Sequence, residues 1–130
     1  MRVLALDYGS ARCGCALSDP TGTLVTPLDP IVGPASRRGL ATIAQLVQER
    51  EVERVLVGLP LSLRGQDTQQ TRETRRFAAT LATRLGEGVP VELHDERFTT
   101  RIAAGLRDAV TSEDSRAAAV LLEGWLERSQ

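Results

Sequence analysis

Apolar residues come as short unbroken runs in the first third of the chain and as helical stripes after that. Val3, Leu4, Ala5 and Leu6 form one such run, and it stops at Asp7. A continuous apolar run predicts a strand covered on both faces, here residues 2–7. The link over residues 8–11 is too short for a crossover, so a second strand over residues 12–18 is expected to lie antiparallel to the first. Asp19-Pro20-Thr21-Gly22 has the residue order of a β-turn. A third strand follows over residues 23–31, and Pro27 and Pro30 assign it to a sheet edge.

The pattern then changes period. Leu40, Ile43, Ala44 and Val47 make the stripe of a helix over residues 37–50. Val55-Leu56-Val57 is a short, wholly apolar strand ended by Gly58-Leu59-Pro60, and it belongs in the middle of a sheet. The loop 61–66 leads into a helix over residues 67–85, with Phe77, Ala78, Leu81, Ala82 and Leu85 inward. A fifth strand over residues 89–94 mixes Glu92 and His94 with apolar positions, as a half-covered edge would. Thr99 or Thr100 caps a short helix to residue 107. Thr111 or Ser112 caps a last helix over residues 113–128, whose inward face is Ala118, Leu121, Leu122 and Trp125.

Three antiparallel strands followed by helix, strand, helix, strand make an α/β domain with a mixed five-stranded sheet flanked by helices. The two late strands arrive by helical crossovers and run parallel to the first, which predicts the order 3-2-1-4-5. The 130 residues suit one domain, residues 1–130, with a modest core. No apolar run reaches the length of a membrane span and the N-terminal run is too short for a signal peptide, so a cytoplasmic protein without membrane attachment is expected.

Net charge is −1, which argues against a general nucleic-acid coat, and all 16 cationic side chains are arginine. Cys13 and Cys15 lie two apart on one strand and point the same way. With no second cysteine pair or histidine cluster to complete a zinc site, they read as small buried apolar residues.

Three carboxylates stand out. Asp7 sits at the end of the first strand, where it reads either as a ligand-facing acid or as a turn acid. Glu96, in His94-Asp95-Glu96-Arg97, leaves the fifth strand at the same carboxyl edge, where open α/β sheets place ligands. It reads alternatively as part of a surface ion-pair cluster. Asp114 precedes Ala118, Leu121 and Trp125 by 4, 7 and 11 residues, which puts it on the buried stripe of its own helix. An inward carboxylate is costly unless paired or bound to metal, although acids in a first helical turn are also common for the helix dipole. If the three converge, they make a hard oxygen site suited to Mg²⁺ or Mn²⁺. Two such ions roughly 4 Å apart activate water and stabilise the leaving oxygen in phosphodiester cleavage. Asp95 is a candidate to support the site from behind. His94, the lone histidine, reads as structural.

The pieces LDYGSARCGCALSD (residues 6–19), VGLPLSLRG (57–65), LHDERFTT (93–100) and EDSRAAAVLLEGWL (113–126) together resemble the YqgF family, also called RuvX, of Holliday-junction-resolvase-like proteins. They span the chain in the family's order. The resemblance implies a ribonuclease-H-like fold and assigns Asp7, Glu96 and Asp114 as catalytic, metal-holding acids. It implies a nuclease maturing the 5′ end of pre-16S ribosomal RNA or, alternatively, a Holliday junction resolvase acting on branched DNA. A non-catalytic nucleic-acid or ribosome-assembly module on the same fold is a third reading. A sugar-kinase-like or actin-like ATPase shares the first-strand pattern but needs two such domains. The chain departs from the family in having Arg64 before Gly65, where an acid is usual, and in a short connection over residues 107–113. Arg12, Arg64, Arg72, Arg76, Arg97 and Arg101 are the candidates to position phosphates of an RNA precursor or a DNA junction. A junction has two-fold character, so a resolvase would be a homodimer.

Overall fold

The computed structural model describes residues 1–96 and 113–129, and side chains up to Glu96 and from Ser115 onward. The elements are β1 (Val3–Asp7), β2 (Arg12–Ser18), β3 (Val25–Val32), α1 (Arg37–Glu49), β4 (Arg54–Leu59), α2 (Gln69–Leu85), β5 (Val91–Asp95) and α3 (Glu113–Ser129). The five strands form one sheet in the order β3-β2-β1-β4-β5. β1 pairs antiparallel with β2 and parallel with β4, β2 pairs antiparallel with β3, and β4 pairs parallel with β5. Both the predicted order and the predicted directions are therefore present. The expected short helix over residues 99–107 and the caps Thr111 and Ser112 lie outside the described residues.

Strand ends differ from the sequence reading for local reasons. β3 starts at Val25 rather than residue 23 because Asp19 Oδ1 accepts from the amides of Thr23 and Leu24, at 2.9 and 3.0 Å. The turn itself is closed by Gly22 N donating to Asp19 O at 3.0 Å, with Gly22 at φ 74°. α2 starts two residues late because Thr68 caps it. Thr68 Oγ1 accepts from Thr71 N, and Thr71 Oγ1 accepts in return from Thr68 N. β5 starts at Val91, beyond Pro90, whose carbonyl still accepts from Val55 N.

Alternation along the strands divides the core in two. Leu4, Leu6, Cys13, Cys15, Val55 and Val57 face α1 and α2, where they meet Ile43, Val47, Phe77 and Leu81. Val3, Ala5, Ala16 and Leu56 face α3, where Ala118, Leu121 and Leu122 cover them. Small side chains on this second face let α3 lie close to the sheet. Full burial of Leu121 and Leu122 contributes about 1.5–3 kcal/mol each. Cys13 and Cys15 are buried as expected and form no disulfide. α2 also buries Thr71 and Thr74, which its apolar stripe did not announce. Thr74 returns its hydroxyl to Gln70 O on its own helix, and Thr71 donates to Pro60 O, tying the helix start to the end of β4.

Candidate active site

Because β1, β4 and β5 are parallel, their carboxyl ends meet at one edge. Asp7 ends β1 two residues past Ala5, so it falls on the α3 face. β5 puts Glu92, His94 and Glu96 on that same face. Trp125 Nε1 donates to Glu92, and Arg128 Nη1 lies 3.1 Å from His94 Nε2, both from α3. Glu96 N donates to Leu59 O at 3.3 Å, which extends the β4–β5 pairing one step beyond the strand.

Gly58 explains how Glu96 reaches across. Register sets Leu6 beside Val57 and Gly58 beside His94, so Gly58 stands between Asp7 and Glu96 at the edge. A methyl group there would collide with Glu96 Oε2 and come within 3.3 Å of its Cδ and 3.0 Å of Leu121 Cδ2. The missing side chain is the space the carboxylate fills, folded back over β4 toward Asp7.

The electrostatics follow from that geometry. Burial first, then the negative charges of Asp7 and Asp95, push the Glu96 carboxyl up to about 7. Two acids drawn together under partial burial are what a cation offsets. His94 is held below its ordinary value by burial and then by Arg128. It accepts from that guanidinium as a neutral ring, in keeping with a structural role.

Asp114 lies in the first turn of α3, and its side chain is outside the described part. Its neighbour Ser115 is fully buried and fastens the turn. Ser115 Oγ accepts from Cys15 N at 3.3 Å and donates to Leu28 O at 2.5 Å. Cys15 is the register partner of Leu6, and Gly14 that of Asp7. The start of α3 is thereby anchored one strand away from Asp7. Among the described residues no three His, Cys, Asp or Glu side chains form a metal-holding group; Asp7 and Asp95 lie near enough to Glu96 for their charges to raise its carboxyl. Their all-oxygen, anionic character fits a hard divalent cation.

The arginines separate into groups. Arg12, Arg64, Arg72 and Arg76 are exposed. Arg75, their neighbour on α2, is engaged by Asp67 through Nε at 2.9 Å and Nη2 at 3.1 Å. Arg97 and Arg101 lie outside the described residues. Two site features escaped the sequence reading. Gly58 looked like a strand terminator, and Ser115 carries no signal in the sequence pattern; only the packing of β4 and α3 shows what each one holds.

Comparison with known proteins agrees with this arrangement. The RuvX model, described as Holliday junction resolvase, matches residues 1–128. A Chloroflexus aurantiacus protein that carries the provisional name pre-16S rRNA nuclease is 41% identical over 133 aligned residues, covering 96% of this chain and 86% of the relative. One from Maridesulfovibrio salexigens with the same provisional name is 36% identical, covering 99% of this chain and all of the relative. Among solved structures, T. thermophilus RuvC in complex with a Holliday junction substrate superposes with a TM-score of 0.65 at 17% identity, over 99% of this chain and 95% of that one. That likeness is one of fold, and the sheet described above is ribonuclease-H-like. The matched model covers the sequence from the β1 acid to the last helix, and on that ground the chain belongs to the RuvX family.

Proposed function

We propose that the protein is a divalent-metal-dependent nuclease that hydrolyses phosphodiester bonds of precursor ribosomal RNA, at the 5′ end of pre-16S rRNA. The observation that carries this reading is the Glu96 carboxylate folded over Gly58 against Asp7. Carboxylates gathered in this way at a strand edge are suited to a bound cation. In this reading Asp7, Glu96 and Asp114 hold Mg²⁺ or Mn²⁺, and Asp95 adds negative charge behind them. A bound cation would supply a Lewis acid and a water of lowered pKa. The chain's own part is to fix the acids on rigid strand ends and to close the α3 side of the site with Leu121. Exposed arginines along the edge hold phosphates without reading sequence. The RNA substrate is favoured because relatives of 36–42% identity along nearly the whole chain carry the pre-16S rRNA nuclease name.

The family's description supports a second reading, a Holliday junction resolvase. It requires two active sites and hence a dimer, whereas RNA end processing does not. One experiment separates them. Purified protein is incubated with Mg²⁺ or Mn²⁺ and either labelled precursor RNA or a four-way DNA junction, beside a folded Asp7→Asn variant. The expected result is RNA cleavage that the variant loses. Symmetric paired nicks in the junction, also lost in the variant, would replace the first reading with the second. Binding of either substrate without metal-dependent cleavage would overturn both in favour of a non-catalytic module.

A further inference from the structure

The α1/α2 side of the same sheet edge carries a second feature that metal chemistry does not use. Strand alternation sends Tyr8 to the face opposite Asp7, where its ring stacks on Phe77 with centroids 4.5 Å apart and planes 25° apart. Tyr8 and Glu73 line two cavities in common. One, of about 250 Å³, is walled by Tyr8, Leu40, Glu73, Arg76, Phe77 and Thr80. The other, of about 410 Å³, adds Gly9, Ser10, Arg12 and Gln70. Sharing these two residues, the cavities adjoin, and together they offer an aromatic wall, an apolar floor, a carboxylate and two exposed guanidinium groups. The smaller of the two, about 250 Å³, falls below the roughly 300–1,000 Å³ of pockets for drug-sized molecules, which leaves room for a single ring system.

We infer that this cleft takes one base of the substrate strand, beside the phosphate positioned at Asp7 and Glu96, and so rests on the nuclease reading above. The base packs against the Tyr8 wall. Glu73 accepts a hydrogen bond from an exocyclic amino group, so bases that carry one are favoured over uracil. Arg12 and Arg76 meet the flanking phosphates. Adjacent Cα atoms are ~3.8 Å apart, so a strand crossing the edge at Asp7 passes Tyr8 within a nucleotide or two. The cleft thus gives the chain a way to set the strand's register at the metal site, which the acids alone do not provide.

The test is a binding cycle that needs no cleavage. Full-length Asp7→Asn protein is titrated, without divalent metal, with a fluorescent single-stranded RNA. The same RNA is then used with an abasic residue placed at each position in turn. Stacking of one base is worth roughly tenfold in affinity. The expected result is one position where base removal weakens binding about tenfold. Adding Tyr8→Leu should weaken binding to the intact RNA by a similar factor and have no further effect on the RNA abasic at that position. Tyr8→Phe, which keeps the ring, should bind as the parent does. Glu73→Gln should narrow the preference for adenine over uracil at that position. Penalties for Tyr8→Leu and base removal that multiply at every position, or binding indifferent to Tyr8, would overturn the cleft alone. Absence of binding to an RNA that the wild-type protein still cleaves with Mg²⁺ would overturn the cleft alone, and absence of both binding and cleavage would overturn the nuclease reading with it.

Discussion

Glu92 and Glu96 belong to the same edge of the sheet, lie four residues apart and project from the same face, yet their surroundings are opposite. Glu92 takes Arg54 Nη1 at 3.0 Å on one oxygen and Trp125 Nε1 at 2.5 Å on the other. Arg54 also lies 5.9 Å from the centre of the Trp125 ring. That group ties β4, β5 and the end of α3 together. Glu96 lies near enough to Asp7 and Asp95 for their charges, after its own burial, to push its carboxyl up to about 7. One end of the α3 face gives its acid cationic and N–H partners. The other end gathers acids over a glycine. The difference separates an acid used to tie elements together from an acid whose carboxyl is raised by burial and neighbouring charge, the pattern that marks a candidate site.

The largest test of that contrast is to neutralise each acid in turn. Glu96→Gln should lower metal-dependent cleavage more than about 100-fold, beyond the 10–100-fold typical of groups that only support a metal ligand. Glu92→Gln should leave kcat within a few-fold in the same assay. Equal losses would erase the distinction.

Gly58→Ala comes next. The added methyl displaces the Glu96 carboxylate, so activity should fall about 10–100-fold and the required metal concentration should rise. Glu96→Asp in the Gly58→Ala background shortens the acid and should recover part of that metal affinity. Leu121→Val in the same background relieves only the contact with Leu121, and should restore thermal stability without restoring metal affinity.

A smaller effect belongs to the architectural end. Glu92→Ala removes the acceptor of the Trp125 N–H and should cost about 1–2 kcal/mol in chemical denaturation. The ion pair itself adds little of this, because both partners keep a third or so of their side-chain surface in water.

The smallest expected signal is in pH. Folding raises the Glu96 carboxyl from an ordinary 4.5 to about 7, so the folded state favours its protonated form. The stability this brings is full below pH 4.5 and is lost as pH rises through 7. Metal-free protein should therefore show a Tm that drops by a few degrees over that window, by calorimetry, and Glu96→Gln should flatten the drop. Metal must displace the proton, so added Mg²⁺ should raise Tm more at pH 8 than at pH 6.

The sequence by itself determined the sheet. Unbroken apolar runs at β1 and β4, prolines in β3 and helical stripes between the late strands leave little choice of order or direction. Asp7 and Glu96 were legible as partners for the same reason, since parallel strands deliver their ends to one edge. Only the tertiary structure decided what lies between and behind them. Gly58 reads locally as a terminator, and its purpose as a space depends on β5 lying beside β4. Ser115 has no distinguishing pattern in the chain, and its role appears only in its hydroxyl joining β2 to β3. Glu92 and Glu96 look alike in the chain; α3 distinguishes them, because Trp125 reaches one and not the other. Tyr8 and Phe77, 69 positions apart, become one wall only when α2 packs on the sheet. Periodicity carries information about which face a residue takes, whereas the identity of its neighbour on that face is set by long-range packing.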